Sequence, residues 1–345
     1  MTEFHKPKVV ISRCLGFDAC RFNGEAIQDK FISRLQDHVD FVPVCPEVEI
    51  GLGTPRPAVR LVSSSRGLRM IQPSTGTDLS DSMRDFSYRF LDSLTHVHGF
   101  ILTHRSPSCG IADAKYYAGP EKGAALGKTS GLFAEAVIER FPHVAIEDDA
   151  RLSNLRIREH FLTRIFAFAR LCALGRSLSM DALVRFHSAH KFLLMAHSEQ
   201  KLRELGRIVA NAGKQNPKRV LELYTAAFQQ ALQSFPRVTS QINVLMHALG
   251  YFSRDLSSRE KHHFLDVLEA YRHGRTPLHS VTSVLWSWSL RFDSLYLQEQ
   301  LFFRPFPDSL LATEDSGKGK RRSEVSSLLR PSLRRHAVRR PASGT

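Results

Sequence analysis

The sequence predicts an α/β N-terminal domain with a mostly parallel, Rossmann-like three-layer sheet, followed by an all-α helical domain. Two observations predict this order. Before residue 151, short apolar runs alternate with helical patterns, which is typical of parallel βαβ units. After residue 152 the strand signal fades, and apolar residues recur every three or four positions, as in a helical bundle. We therefore expect domains at residues 1–158 and 159–310 and a basic tail at 311–345.

Short apolar runs predict the strands of the first domain. Each run is bounded by turn residues, and most carry the β-branched and aromatic side chains that favour strands. Four predicted strands lie at residues 9–12, 41–44, 99–103 and 144–146. A hairpin-like pair is predicted at residues 59–62 and 68–71, across a turn at 63–67.

Amphipathic patterns predict the helices. In the first domain they lie between the strands, at residues 25–38, 79–94 and 132–141. Such crossover helices are what parallel strands require. In the second domain the same spacing predicts helices at residues 155–174, 180–197, 202–212, 217–232, 242–253, 257–273 and 277–301.

Composition excludes several classes of protein. With 345 residues and 42% hydrophobic residues, the chain can supply a core for each of two domains. Five cysteines, an odd number, and the absence of an apolar signal stretch argue against a secreted disulfide scaffold. We therefore expect a cytoplasmic protein. No run of about 18 uncharged apolar residues occurs, so the sequence predicts no membrane-spanning segment.

The charge of the chain indicates a polyanionic partner. The formal net charge is +14, which favours nucleic acid. Nine basic residues and one acidic residue lie between residues 318 and 340, in a segment rich in Ser, Gly and Pro. We expect this tail to be disordered in isolation. It is either a solvated tail or a flexible arm that adds phosphate contacts.

Three cysteines lie at the ends of predicted strands. Cys14, Cys45 and Cys109 each follow an apolar run and precede turn residues. The carboxyl ends of parallel strands meet at one edge of a sheet, so three thiolates are expected together, as in a metal centre with one open position. Their separations of 31 and 64 residues match no zinc finger or ribbon, whereas iron–sulfur clusters accept scattered cysteines. Buried cysteines without a ligand are the alternative.

The segments around these cysteines resemble the thiouracil desulfidase (TudS) family. The motifs SRCLG, CRFNG, CPEVEIGLGTPR and SPSCG occur in order, followed by GLF at 131–133 and EDDARL at 147–152. The similarity spans about residues 7–158. The motifs FHSAHK, NVLMH and GYF lie in the second region, which resembles the YbgA-type domain across about residues 180–300. A chain that fuses the two resembles bacterial tRNA 4-thiouridine desulfidases.

This resemblance implies a cofactor, a reaction and a set of site residues. It implies a 4Fe-4S cluster held by Cys14, Cys45 and Cys109, with one open iron that takes the substrate sulfur. The implied reaction converts 4-thiouridine to uridine by hydrolysis, without net redox change. The catalytic Glu and Ser of the family correspond to Glu47 and Ser106. We expect Glu47 to act as general acid and base and Ser106 to orient substrate or water.

Three functions remain open at this point. The first is desulfuration of tRNA, with the helical domain and the basic tail binding tRNA. The second is desulfuration of free 2-thiouracil or thionucleosides. The third is a non-enzymatic iron–sulfur sensor that binds nucleic acid. Glu47 and Ser106 beside the cysteines favour catalysis, because a sensor needs no acid or base.

Other residue patterns carry weaker signals. Cys20 is expected to have a supporting or structural role and Cys172 to pack in a helical core. His187 and His190 share a helix face, where structural or RNA-contacting roles are favoured over metal binding. Segment 123–129 resembles a phosphate-binding loop but has one residue too few between its glycines. Lys128 in this segment and the preceding Lys115 could contact a substrate phosphate or simply be solvated. Trp286 and Trp288 are expected in the helical core.

Overall fold

The computed structural model describes residues 4–65, 67–211 and 213–311. It confirms the predicted fold class, an α/β region followed by a helical region. The predicted basic tail lies outside the described residues from residue 312 onward. Among the described residues, no helix has both the length and the apolar character that crossing a bilayer requires.

Nine strands and fourteen α-helices form the described part of the chain. The strands are β1 (Lys8–Ser12), β2 (Asp40–Val44), β3 (Arg60–Ser64), β4 (Gly67–Gln72), β5 (Thr77–Asp78), β6 (Gly99–Leu102), β7 (Ala114–Tyr117), β8 (Gly127–Thr129) and β9 (Ala145–Asp148). The helices of the first region are α1 (Lys30–Leu35), α2 (Pro46–Glu49), α3 (Ser80–Ser93), α4 (Leu132–Arg140) and α5 (Asp149–Leu152). The later helices are α6 (Leu155–Leu174), α7 (Met180–Ala189), α8 (Lys191–His197), α9 (Glu199–Ala210), α10 (Pro217–Ala231), α11 (Val238–Gly250), α12 (Ser258–Arg272), α13 (Leu278–Arg291) and α14 (Leu295–Gln298).

A four-stranded parallel sheet, sheet A, is the centre of the first region. Its strand order is β2-β1-β6-β9. Side chains of β1 point alternately to the two faces. Val10 belongs to the core beneath α3 and α4, whereas Val9 and Ile11 belong to the core beneath α1 and α6. Helices thus cover both faces, which is the predicted three-layer arrangement.

A second sheet, sheet B, is formed by the chain segments that follow strands β2 and β6 of sheet A. Its order is β5-β4-β3-β7-β8, with β3 and β7 parallel and the other neighbours antiparallel. The β3–β4 hairpin confirms the predicted pair. The strands β7 and β8 were not predicted, because each has only three or four residues and carries lysine or glycine rather than an apolar alternation.

Helix α6 belongs to the cores of both regions. Its residues Phe161, Leu162, Ile165 and Phe166 pack against sheet A. The following Ala167, Phe168 and Leu171 pack in the helical core. The expected domain boundary at residue 158 therefore falls inside this helix, and the boundary itself stays a prediction.

Several helices differ from their predicted bounds, and three of them do so for clear local reasons. The helix predicted at 25–38 begins only at Lys30, because the Asp29 side chain caps it by accepting hydrogen bonds from Phe31 and Ile32. The helix predicted at 180–197 is interrupted at His190, which leaves helical geometry. The helix predicted at 277–301 ends before Asp293, whose φ is +47°.

Candidate active site

The structure brings the three predicted cysteines to the carboxyl edge of sheet A. Cys14 follows β1, Cys45 directly follows β2, and Cys109 lies in the loop after β6. Cys14 and Cys45 each interact with Cys109 electrostatically, so the three side chains lie near one another. Cys45 and Cys109 are buried and Cys14 is partly buried. Their meeting follows from the parallel topology, since all four strands of sheet A end at this edge.

A fourth thiol, Cys20, joins this cluster. The Cys20 side chain makes hydrogen bonds with both Cys14 and Cys45, and its own carbonyl accepts one from the Cys45 thiol at 3.8 Å. A supporting role was expected for Cys20, but its contact with both thiols was not predictable, because it lies in an irregular loop six residues beyond Cys14. All five cysteines of the chain are free of disulfide bonds.

The four thiols differ in acidity. Hydrogen bonding from Cys20 lowers the pKa of the Cys45 thiol to about 7, against the opposing effect of burial. The same interaction lowers the pKa of Cys14. Burial raises the pKa of Cys109 to about 12, and hydrogen bonding to Cys14 and Cys45 raises the pKa of Cys20. Cys14 and Cys45 are thus the more readily available thiolates in the cluster.

Glu47 lies beside the thiols on the short helix α2, and its carboxylate is held on both oxygens. The Arg56 guanidinium donates from Nε at 2.8 Å and pairs through Nη2 at 2.7 Å with Oε2. Ser108 Oγ donates to Oε1 at 2.7 Å. Arg56 also donates from Nη1 to the Cys20 carbonyl at 2.9 Å. The carboxylate is therefore fixed between the Cys20 loop and the Cys109 loop.

Ser106 is connected to Glu47 through Ser108. The two serine hydroxyls are 2.9 Å apart. Ser106 Oγ also accepts hydrogen bonds from the backbone N–H groups of Ser108 and Cys109, at 3.2 and 3.0 Å. The structure thus joins both predicted catalytic residues in one hydrogen-bonded chain. Arg56 and Ser108 lie in the motifs CPEVEIGLGTPR and SPSCG, but no spacing rule singles them out, so their contacts with Glu47 were not predictable from the sequence.

The loop that carries Cys109 is supported from below by Gly131. The Gly131 N–H donates to the Gly110 carbonyl at 2.8 Å. A Cβ at residue 131 would lie 2.5 Å from the carbonyl carbon of Ser108, so only glycine allows this contact. Helix α4, which begins at Leu132, is thereby pressed against the loop and fixes Ser108 and Cys109 in place.

The donor set fits an iron–sulfur cluster better than a single metal ion. Within the described ranges, no three His, Cys, Asp or Glu side chains are arranged around one point as ligands of a single ion. A cluster of several irons offers separate corners to its ligands, so its thiolates need not converge on one point. Soft, mostly buried thiols from three strand ends satisfy that requirement.

The remaining predicted candidates lie elsewhere. Cys172 is partly buried on α6. His187 Nδ1 lies 3.1 Å from the Tyr224 hydroxyl, and the buried His190 donates from Nδ1 to the Phe186 carbonyl at 2.7 Å. Trp288 is part of the helical core, with Trp286 packed against it. These contacts are structural.

A large cavity lies in the helical region, and none of the cysteines of the cluster lines it. Its volume is about 1050 Å³. Four arginines line it together with aromatic rings, and the acidic Glu159 and Asp308 are also in its wall. Arg304 pairs with Asp308 at 2.6 Å. Basic and aromatic residues that line the cavity include Arg156, Arg272, Arg275, Arg304, Phe235 and Tyr271.

Comparison with known sequences finds two separate matches along the chain. Residues 9–149 match the sequence model of the family described as 2-thiouracil desulfurase. Residues 191–307 match a family described as a protein of unknown function, DUF1722. The uncharacterized protein YbgA of Escherichia coli (strain K12) is 29% identical over 154 residues, which cover 44% of this chain and 91% of YbgA. The uncharacterized protein YbbK of Bacillus subtilis (strain 168) is 28% identical over 109 residues, which cover 30% of this chain and 72% of YbbK.

A solved structure of a [4Fe-4S]-dependent thiouracil desulfidase, TudS, is also similar to part of the chain. The identity is 22% and the TM-score 0.34, over 43% of this chain and 93% of that one. The sequence matches confirm the resemblance inferred from the motifs. The chain joins a domain of the 2-thiouracil desulfurase type to a YbgA-type domain.

Proposed function

We propose that this chain, in which a domain of the 2-thiouracil desulfurase type is fused to a YbgA-type domain, is a tRNA 4-thiouridine desulfidase. It converts 4-thiouridine to uridine by hydrolytic, non-redox removal of sulfur. The observation that carries this proposal is the buried Glu47 carboxylate, fixed by Arg56 and Ser108 beside the thiols of Cys14, Cys45 and Cys109.

The cysteines would hold a 4Fe-4S cluster. Cys14, Cys45 and Cys109 are its proposed ligands, because each comes from a different strand end of sheet A. When bound, the cluster supplies a Lewis acid for the thiocarbonyl sulfur through an iron that no cysteine occupies. Cys20, which makes hydrogen bonds with Cys14 and Cys45, would orient these two ligands.

Glu47 is the proposed general base. Its carboxylate accepts a proton from the water that attacks the ring carbon, and it returns a proton to the ring nitrogen or the leaving sulfide. In the net reaction, the oxygen of one water molecule replaces the sulfur of 4-thiouridine, and hydrogen sulfide is released. Arg56 and Ser108 fix the carboxylate, and Ser106 orients the water or the substrate through the serine pair.

Two features support tRNA as the substrate. The chain carries a net charge of +14, which favours a large polyanion. The helical region offers a cavity of about 1050 Å³ with arginine and aromatic side chains, which suits phosphate and base contacts. A thiolated uridine would have to leave its stack to reach a buried carboxylate such as Glu47.

The second candidate is a desulfidase of free 2-thiouracil or thionucleosides. The match of residues 9–149 to the 2-thiouracil desulfurase family favours it, because a free base needs only the site on this domain. The third, a non-enzymatic sensor, leaves the fixed carboxylate of Glu47 without a role.

An anaerobic assay on two substrates tests the proposal. The full chain is purified without oxygen, its cluster is reconstituted, and it is incubated with bulk bacterial tRNA or with 2-thiouracil. Thionucleosides and bases are then quantified by mass spectrometry. Cys109→Ala removes a proposed ligand, whereas Cys172→Ala is the matched control on α6.

Loss of 4-thiouridine with an equal gain of uridine, in wild type and in Cys172→Ala but not in Cys109→Ala, is the expected result. Turnover of 2-thiouracil with unchanged tRNA would favour the second candidate. A protein that binds iron and changes neither substrate would contradict both enzymatic functions.

A further inference from the structure

Two lysines face each other on the outer surface of sheet B. In the antiparallel pair β7–β8, Lys115 lies directly opposite Lys128, and both side chains are exposed. Residues that are directly opposite in such a pair point to the same face, and like charges there destabilise the strand pairing. Folding alone therefore gives no reason for this pair, whereas an anionic ligand would offset the repulsion.

A third cation, Arg60, lies on the same face in β3. Its guanidinium lies over the Tyr117 ring at 4.5 Å, and its Nη1 donates to the Glu121 carbonyl at 2.9 Å. These two contacts hold the guanidinium in one orientation, so little side-chain entropy is lost when it binds a ligand. Among the residues that the structure describes, no ion pair forms at Arg60, Lys115 or Lys128.

The alternation of side chains separates this face from the core. Ala114 is buried and Tyr116 packs against the core, so Lys115 and Tyr117 point outward. Tyr116 also lies over Gly127, where a Cβ would meet its ring at 2.9 Å. Lys128, the next residue, is therefore on the outer face with Lys115.

This face begins next to the candidate active site. Strand β7 starts five residues after Cys109, and β3 starts four residues after Arg56. A chain extends at most about 3.6 Å per residue, so the six residues from Cys109 to Lys115 span at most about 22 Å. The parallel strands β3 and β7 both run away from the site, which places Arg60 and Lys115 near its end of sheet B.

We propose that Arg60, Lys115 and Lys128 form a binding surface for the phosphodiester backbone next to the reactive nucleotide. This inference rests on the proposed function and specifies a polynucleotide substrate. The three cations lie on the neighbouring strands β3, β7 and β8, and adjacent strands are about 4.8 Å apart. The surface therefore spans about 10 Å, which suits successive phosphates of a nucleic-acid strand better than one phosphate group.

Binding of RNA by charge variants of the full-length, reconstituted protein tests this inference. The test variant is Lys115→Ala/Lys128→Ala. The control, Lys6→Ala/Lys30→Ala, removes the same charge from two exposed positions of the same region. Affinity for bulk tRNA is measured by fluorescence anisotropy over a salt series, and turnover is measured on tRNA and on 2-thiouracil.

The test variant should bind tRNA roughly tenfold more weakly at low salt, and the slope of log K against log salt should decrease by about one to two. KM for tRNA should rise, while turnover of 2-thiouracil should match wild type. Its unfolding temperature should be equal or higher, because the lysine repulsion is removed. Lys115→Arg/Lys128→Arg should retain binding.

Unchanged affinity and salt slope in the test variant, or equal losses in the control, would overturn the inference. A parallel loss of 2-thiouracil turnover would also overturn it, since the lysines would then serve the fold. If wild type desulfurates neither substrate, the proposed function fails, but the salt series still decides whether this surface binds RNA.

Discussion

Glu47 is a carboxylate that burial would destabilise without its partners. Only 7% of the residue is exposed, and removing a charge from water is costly unless it is paired and hydrogen-bonded. Arg56 supplies a two-point ion pair and Ser108 a hydroxyl. Such a fully restrained carboxylate beside four thiols is better explained by a reaction than by stability, because an apolar side chain would be cheaper to bury.

Replacing Glu47 by Gln should abolish most of the turnover without loss of the cluster. Gln keeps the size of the side chain but accepts no proton, so we expect kcat to fall by about 10²–10⁴-fold. Iron content and the visible absorption of the reconstituted protein should stay at the wild-type level. Glu135→Gln, an exposed position on α4, is the control. Wild-type activity of Glu47→Gln would remove it from the mechanism.

The sequence predicted which cysteines meet but not what holds Glu47. Cys14, Cys45 and Cys109 follow apolar runs, and the rule that parallel strands share an edge is enough to bring them together. Arg56 and Ser108 reach Glu47 from separate loops, through contacts that no periodicity encodes. Cys20 likewise depends on the path of an irregular loop, so only the folded chain shows its place.

At the scale of elements, the contact between Gly131 and the Cys109 loop joins α4 to the site. Gly131 precedes α4 and packs directly on the Ser108 peptide. The loop is therefore supported by the backbone of Gly131 rather than by a side chain. Ser108 and Cys109 occupy this loop, so its position sets both the hydrogen bond to Glu47 and one proposed cluster ligand.

The substitution Gly131→Ala should displace the loop. Its Cβ would lie 2.5 Å from the Ser108 carbonyl carbon and oxygen, so backbone must move. We expect a destabilisation of about 1–3 kcal/mol and a reduced iron content after reconstitution. Gly123→Ala is the matched control, because nothing lies within 4 Å of its Cβ. Urea unfolding and iron analysis measure both effects, and equal behaviour of the two variants would contradict the proposed support.

Element boundaries were predictable where apolar periodicity and capping coincide. Helix α6 has the predicted bounds, since the Asn154 side chain caps it at Ile157 and its apolar pattern ends at Leu174. The interruption at Asp293 was not predictable, because apolar residues continue at helical spacing through the break and only the left-handed backbone ends the helix. Two of the five strands of sheet B were predicted, because β5 has only two residues and β7 and β8 lack an apolar alternation.

At the scale of the whole molecule, α6 makes the two regions dependent on each other. Phe161, Leu162, Ile165 and Phe166 cover sheet A, although they lie beyond the match to the desulfurase family at residues 9–149. Phe306 and Leu310, at the end of the described chain, pack in the same core. The first region is thus completed by segments from the second.

Truncation should show this dependence. A chain that ends at residue 158 loses the four aromatic and aliphatic side chains of α6, each worth about 1.5–3 kcal/mol when buried. Their sum is comparable to the entire stability of a typical domain, so we expect this fragment to aggregate. A fragment that ends at residue 178 retains α6 and should be more soluble and better folded, as judged by circular dichroism. Equal folding of both fragments would contradict this role of α6.

Buried neutral histidines should make the helical region sensitive to acid. Burial lowers the pKa of His160 to about 2 and the pKa of His190 well below its usual value. Because both values fall below that of the unfolded chain, about 6.5, the unfolded state binds more protons once the pH falls below 6.5. Stability is then lost as the pH decreases, at up to about 1.4 kcal/mol per unit for each histidine.

The variant His160→Gln should reduce that loss. The wild-type His160 Nε2 donates to the Leu232 carbonyl at 3.0 Å, a bond that the amide of Gln can replace. Between pH 7.5 and 5.0, we expect the variant to lose about 2 kcal/mol less stability than wild type. Urea unfolding at both pH values measures the difference. The same loss in both proteins would show that other groups cause the acid sensitivity.

Helix α6 also fixes a distance. The chain reaches α6 from the carboxyl edge of sheet A, by way of β9 and α5. The N-terminal half of α6 forms one wall of the arginine-lined cavity. A packed helix, rather than a flexible linker, therefore connects the cysteine edge to the wall of the cavity. The separation between the two is thus constant. In the proposed function, a tRNA that engages both must match this separation, whereas a free base reaches only one of the two. Selection of the substrate by size would then require no contact that reads a base sequence.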